Sequence, residues 1–232
     1  MPKRERIALY LIVSLEGISI RLQNALEALA PCDCATAVSS LEEADLIGLP
    51  NNAYDMIHSW AKHRQEEFKA GRRCASQALA KVGAEDRIAL PDADGLPNWP
   101  QGFLGSISHS LGIAMAVAAK KEKYSLIGLD LEKTNRLSES AARRVIHPLE
   151  LSFAGDNQVN ASILFSLKEA FYKAQFPRWR ELGNFRELAL SVNLVKGTAD
   201  IKEMDARFDS ELAHLSFAFE IVDDFVISLA WA

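Results

Sequence analysis

The sequence predicts an α+β protein built in two halves. Three observations carry that reading. Short β-branched and aliphatic runs are interspersed with stretches that keep helical period. A charged break, Lys120-Lys121-Glu122-Lys123, falls near the middle of the chain. After it comes a coarse order of strand, helices and strands, so the expected halves are residues 1–123 and 124–232. No residue-level repeat relates them.

The elements follow in order. Ile7 to Leu15 is β-branched and aliphatic, a strand. The basic residues before it mimic a secretory leader, but no small-residue cleavage site follows, so the segment is read as part of the mature chain. Ile20, Leu22, Ala25, Leu26 and Leu29 mark a short helix stopped by Pro31. Leu41 to Leu49 fits either period. Asn51-Asn52 or Asp55 begins the longest helix, with Ile57, Trp60, Phe68, Ala75, Leu79 and Val82 on its apolar side and Gly83 at its end. Leu90 to Gly102 is a turn-rich connection with three prolines. Leu104 to Ser108 and Ile113 to Ala119 read as a hairpin, with Ser108-His109-Ser110 in the link.

In the second half, Leu126 to Leu131 reads as a buried strand and Ser138 to Ile146 as a helix. Ala161 to Gln175 reads as a second helix, capped by Asn160 and stopped by Pro177. Strands are expected near Leu188–Leu194, Leu215–Ile221 and Phe225–Leu229.

Composition narrows the function. Of 232 residues, 49% are apolar and 25% charged, ordinary for a globular protein. A formal charge of −5 argues against a nucleic-acid binder. No apolar run has the length of a membrane span, so stable membrane insertion is not expected. The three cysteines, Cys32, Cys34 and Cys74, lack zinc-ligand spacing and read as reduced thiols in the cytoplasm.

The chemistry concentrates between Ile127 and Lys173. Gly128-Leu129-Asp130-Leu131-Glu132 reads as a strand end. Residues i and i+2 of a strand share a face, so Asp130 and Glu132 project together. Ser166-Leu167-Lys168-Glu169 and Lys173 lie on the helix, where Glu169 and Lys173 are i,i+4 neighbours. Packing that helix on that strand converges three carboxylates, which repel unless a cation sits among them. An all-oxygen set with room for water and phosphate suits Mg²⁺. Upstream, Arg64 and Arg72 stand two turns apart on the long helix, about 12 Å along its axis, a span suited to two phosphates of one ligand. By themselves they fit a solvated charged face better.

Together these stretches resemble a known family. G-x-D-x-E followed by (W/F)-S-x-K-E-A-x-x-K, the upstream Gly105-Ser106-Ile107-Ser108-His109-Ser110, and Arg72-Arg73-Cys74-Ala75 preceded by Arg64-Gln65-Glu66-Glu67-Phe68 look like the 4′-phosphopantetheinyl transferases. The order is similar to the larger monomeric group, particularly the branch typified by enterobactin synthetase component D. The resemblance implies a pseudo-twofold α+β pair with its ligand in the cleft between halves. It implies an enzyme, active as a monomer, that moves 4′-phosphopantetheine from coenzyme A to a serine of an acyl or peptidyl carrier protein and releases adenosine 3′,5′-bisphosphate.

On that reading Asp130, Glu132 and Glu169 hold Mg²⁺, Glu169 also serves as base, and Lys173 and Lys168 bind phosphate oxygens. Arg64, Arg72 and His109 hold the nucleotide phosphates, with Ser108 as a hydroxyl donor. The acidic carrier is expected to dock on Lys173, Phe176, Arg178, Trp179 and Arg180. Two other readings stay open. One is a carrier-binding protein without chemistry. The other is a different Mg²⁺-dependent phosphoryl enzyme, which would leave the Ser108-His109 stretch unexplained.

Overall fold

In the computed structural model, the described residues are 17–41, 50–181, 183–208 and 210–232. The strand expected over Ile7–Leu15 and most of Leu41–Leu49 lie outside them. The described residues form two antiparallel sheets with long helices packed on them. Helix α1 (17–29) leads into β1 (Ala35–Ser40). Helices α2 (Asn51–Ile57) and α3 (Lys62–Lys81) follow, then the hairpin β2 (Phe103–Ser110) and β3 (Ile113–Lys120). The second half runs β4 (Ile127–Lys133), α4 (Glu139–Val145), α5 (Leu151–Ala154), α6 (Gln158–Trp179), β5 (Leu188–Asn193), β6 (Thr198–Met204), β7 (Ser216–Val222) and β8 (Phe225–Trp231). The sheet orders are β1-β3-β2 and β4-β8-β7-β6-β5. Edge strands β2 and β4 therefore meet at the junction of the halves.

Strand β3 shows how both faces of the first sheet are filled. Ala114, Ala116 and Ala118 face Ala70, Cys74, Ala75 and Ala78 of α3. Ile113, Met115 and Val117 face Leu22, Ala25 and Leu26 of α1. This second core also takes Ile127, Leu129 and Leu131 of β4 and Ile227 and Leu229 of β8, so α1 helps to bind the halves together. Helix α6 packs over β5 to β8 in a third core with Leu164, Leu167, Phe171, Phe217 and Phe219.

Several boundaries differ from the sequence reading. The long helix is broken between α2 and α3, where the Gln65 side-chain amide donates to the carbonyls of His58 and Trp60. Helix α6 begins three residues early, because Asn157 rather than Asn160 accepts from the first-turn amides of Val159 and Asn160. Pro177 does not stop α6. It sits in the last turn, where proline's fixed φ is still helical and one hydrogen bond is lost. The helix ends when Arg180 turns left-handed, at φ 59°. Ser108, His109 and Ser110 lie in β2. The hairpin link is Leu111-Gly112, with φ of 46° and 87°, a two-residue turn of the twist hairpins favour. Strands β1 and β6 were not foreseen, and their small or charged residues explain why.

Candidate active site

The strand signature G-x-D-x-E works through packing. A Cβ on Gly128 would stand 1.9 Å from the Ala170 carbonyl oxygen and 2.6 Å from the Ala174 amide nitrogen. Only glycine lets the α6 backbone sit this close to β4. Gly128, Asp130 and Glu132 share the β4 face that looks at α6, while Leu129 and Leu131 fill the core behind. The close approach brings Lys173 onto Asp130, with Nζ 2.7 Å from Oδ1.

Ser108 completes this group from the other half. Its hydroxyl donates to Asp130 Oδ1 at 3.1 Å and accepts from Lys173 Nζ at 3.0 Å and from the Leu131 amide at 3.1 Å. The one proton of Ser108 is thus committed to Asp130. Donation to a nucleotide phosphate, the expected role, would require this hydroxyl to turn away from Asp130. It braces the carboxylate instead.

The other two carboxylates stand within electrostatic reach. Burial first, then the charges of Asp130 and Glu132, push the Glu169 carboxyl above its ordinary range, against the opposing pull of Lys173. Glu132 is raised by burial and by Asp130, and its Oε1 accepts from the Lys133 amide at 2.7 Å. Among the described residues no three acid, histidine or cysteine side chains close into a metal cage. Asp130 Oδ2, however, is buried and has no hydrogen-bond partner in the protein. That orphaned oxygen, beside two carboxylates under mutual repulsion, fits a hard cation such as Mg²⁺.

Lys168 is the clearest correction. It is fully buried and points away from the site. Its ammonium donates to Glu150 Oε2 at 2.7 Å and to the carbonyls of Val145 and Phe185 at 2.8 Å each. Three protons have three protein partners, so Lys168 has nothing left for a phosphate. Glu150 was missed by the sequence reading. Its Oε1 accepts from the Leu190 amide and its Oε2 from the His147 amide. A lone acid after His147-Pro148 carries no sequence signal of burial.

The basic group lies next to Asp130. Arg64 Nη1 stands 3.2 Å from His109 Nε2, so that nitrogen is bare and accepts. His109 Nδ1 faces Glu67 Oε1 at 3.4 Å. Burial, opposed by Glu67 but joined by the charges of Arg64 and Lys173, holds His109 below its usual pKa. Arg72 stacks over Phe68 at 4.7 Å. It has no carboxylate partner among the described residues, and its Nε is buried without one. Burial and the Arg64 charge lower its pKa to about 10. A partly buried guanidinium with no carboxylate partner among the described residues is suited to an anionic ligand.

A cleft of about 390 Å³ opens beside Glu169 and Lys173, between β2 and α6. Trp99, Ile107, Tyr172, Phe176 and Phe185 give it apolar walls. The structure is thus an α+β fold in which the meeting of β2 and β4 brings carboxylates and a lysine beside an apolar cleft, with arginines and a histidine close by along β2 and α3. Such a site suits transfer of a phosphate-linked group. Residues 53–119 match the 4′-phosphopantetheinyl transferase N-terminal domain, and residues 126–230 match the 4′-phosphopantetheinyl transferase superfamily. The chain is 30% identical to the 4′-phosphopantetheinyl transferase Npt of Nocardia iowensis, over 75% of this chain and 82% of that one. It is 33% identical to PptT of Mycobacterium tuberculosis, over 63% and 67%. It is 32% identical to enterobactin synthase component D of Salmonella typhi, over 59% and 58%. The chain belongs to the 4′-phosphopantetheinyl transferase superfamily, in the group that includes enterobactin synthase component D, and is an enzyme of that class.

Proposed function

We propose that the enzyme transfers the 4′-phosphopantetheine group of coenzyme A to a serine hydroxyl of an apo acyl or peptidyl carrier protein. Adenosine 3′,5′-bisphosphate is the product released. The carrying observation is the adjacency of three kinds of surface along β2, where His109 meets Arg64 and its neighbour Ser108 meets Asp130 and Lys173, with Lys173 also lining the apolar cleft. A ligand with a phosphorylated nucleoside, a pyrophosphate and a long uncharged arm matches that sequence of surfaces.

Arg72 and Arg64 hold nucleotide phosphate, with His109 donating once it is protonated by the phosphate's charge. Lys173, already poised at Asp130, offers its ammonium to a pyrophosphate oxygen. Glu169 takes the serine proton as the serine oxygen bonds to the pantetheine-side phosphorus. The bond from that phosphorus to the nucleotide's bridging oxygen breaks. Asp130, Glu132 and Glu169 would hold Mg²⁺, which supplies charge neutralisation at the pyrophosphate. The apolar walls of Tyr172 and Phe176 take the arm.

The acceptor surface is placed anew. Arg178 is paired with Glu211 at 2.7 Å, and Arg180 with Asp92 and Asp94 at 3.4 and 3.2 Å, so the expected docking patch shares its charges with carboxylates. A second groove carries Arg143, Arg144 and Arg186. Exposed Leu149 and Leu151 lie near it in the chain. Gly183 and Phe185 line both this groove and the cleft, so an acidic carrier docked here has a short path to Glu169.

No helix of the described residues is long and apolar enough to cross a membrane. Both sides of the cleft come from one chain, so the proposal takes a monomer, acting in the cytoplasm where its free cysteines stay reduced. The test mixes purified protein, coenzyme A and Mg²⁺ with a panel of apo carriers from siderophore, polyketide and fatty-acid systems. Each carrier is then weighed by mass spectrometry. Gain of one phosphopantetheine on at least one carrier, lost on removing Mg²⁺, is expected. No gain on any carrier refutes the proposal.

A further inference from the structure

Strands β2 and β4 are edges of different sheets, yet they are joined. Two serine side chains do the joining. The Leu129 amide donates to Ser106 Oγ at 3.0 Å, and the Leu131 amide donates to Ser108 Oγ at 3.1 Å. Both rungs span the same 23 residues, and both advance by two along each strand. Unpaired edge amides are thereby satisfied by hydroxyls instead of carbonyls. The next pair in the pattern would be Ser110 and Lys133. There the Lys133 amide turns to Glu132 Oε1, and Ser110 Oγ has no partner, so the ladder ends after two rungs.

We propose that Ser106 is a positioning residue, one of two side-chain rungs that set the register of β4 on β2 and so the place of Asp130 and Glu132. The proposal rests on the transferase reading of the same site. Ser108 touches Asp130 and Lys173 directly. Ser106 is buried, lines the cleft, and accepts a hydrogen bond from the backbone of β4. A slip of two residues along the ladder would shift Asp130 by about 7 Å, out of reach of Lys173. One rung leaves β4 free to pivot about Ser108, and two rungs fix both position and direction. Because the rungs join β2 to β4, the same serines align the anion-binding residues with the carboxylates.

The test compares Ser106→Ala and Ser106→Thr with the parent. Thr keeps the acceptor oxygen. Residue-resolved amide exchange is followed at Leu129 and Leu131, alongside kcat and KM for coenzyme A and carrier. In Ser106→Ala, Leu129 exchange is expected to accelerate about tenfold or more, with Leu131 less affected. The kcat is expected to fall on the order of ten- to a hundredfold, with the KM for carrier nearly unchanged. Ser106→Thr restores both. Unchanged exchange at Leu129 overturns the ladder. Accelerated exchange with parental kcat overturns the positioning role and leaves a merely structural bond. If Ser106→Ala does not fold, Ser106→Cys, a weaker acceptor, gives the same two readouts in graded form. A parent that transfers nothing defeats the transferase reading alone, because amide exchange still decides whether the ladder exists.

Discussion

Replacing Lys168 by methionine separates the two roles that have been considered for it. The Lys168–Glu150 pair has no solvent exposure on either side chain. Losing the ammonium leaves Glu150 with two backbone amides but no counter-charge. It also strips the carbonyls of Val145 and Phe185 of their donor. Breaking a buried pair from one side costs about 3–5 kcal/mol. For a chain of this length each kcal/mol is worth about 2–4 °C, so the Tm of Lys168→Met should fall by roughly 6–20 °C. Adding Glu150→Gln removes the stranded charge and keeps an acceptor for one amide. The double variant should therefore recover part of the loss, and a thermodynamic cycle should show strong coupling. Thermal unfolding of the four proteins is read beside calorimetric titration of coenzyme A at a temperature where all are folded. Coenzyme A affinity should stay near parental. A near-parental Tm with affinity weakened about tenfold or more would refute the structural role and return Lys168 to the phosphates.

Gly128→Ala places a methyl group against the Ala170 carbonyl, so α6 must back away from β4; loss of transfer with a destabilisation of about 1–3 kcal/mol or more is expected by activity assay and thermal unfolding. Burial and the charges of Asp130 and Glu132 raise the Glu169 pKa, so in the protein without added Mg²⁺ this carboxyl should take up its proton above the ordinary carboxylate value, as an NMR pH titration will show. Lys173→Met removes the side-chain cation that favours the ionised form, so without Mg²⁺ the Glu169 titration should move to still higher pH; a titration that moves down would overturn the assignment. Arg72→Ala should weaken coenzyme A about 10- to 150-fold, and dephospho-coenzyme A less if Arg72 holds the 3′-phosphate, as calorimetry with both ligands will show. Arg144→Glu with Arg186→Glu should raise the KM for carrier and leave coenzyme A binding intact, whereas Arg178→Glu with Arg180→Glu should do neither; steady-state kinetics at two salt concentrations distinguishes the grooves.

What the sequence determined by itself was local. Period placed the two strands of the hairpin, the strand carrying Asp130 and Glu132, and the body of helix α6, because burial on one face imposes periods of 2.0 and 3.6 whatever the partner. The i,i+2 pair Asp130 and Glu132 and the i,i+4 pair Glu169 and Lys173 shared faces for the same reason. The break at His58–Ala61 was not legible, because a side chain five residues on satisfies the Trp60 carbonyl. Strand β6, with Lys202 and Glu203 in its run, shows the period too weakly to read.

Direction and partnership were decided only by tertiary packing. Lys168 and Lys173 look alike in sequence, five residues apart on one helix. That spacing turns them well over 100° apart around the axis. One therefore enters the core against Glu150, and the other meets Asp130 at the cleft. Ser108 reads as a donor until Asp130, 22 residues away, takes its proton. Arg178 and Arg180 read as free cations until Glu211, Asp92 and Asp94 pair with them. In each case the residue's chemistry is written in its type, but the charge or hydrogen bond left over for a ligand depends on a partner distant in the chain, which only the packed structure supplies.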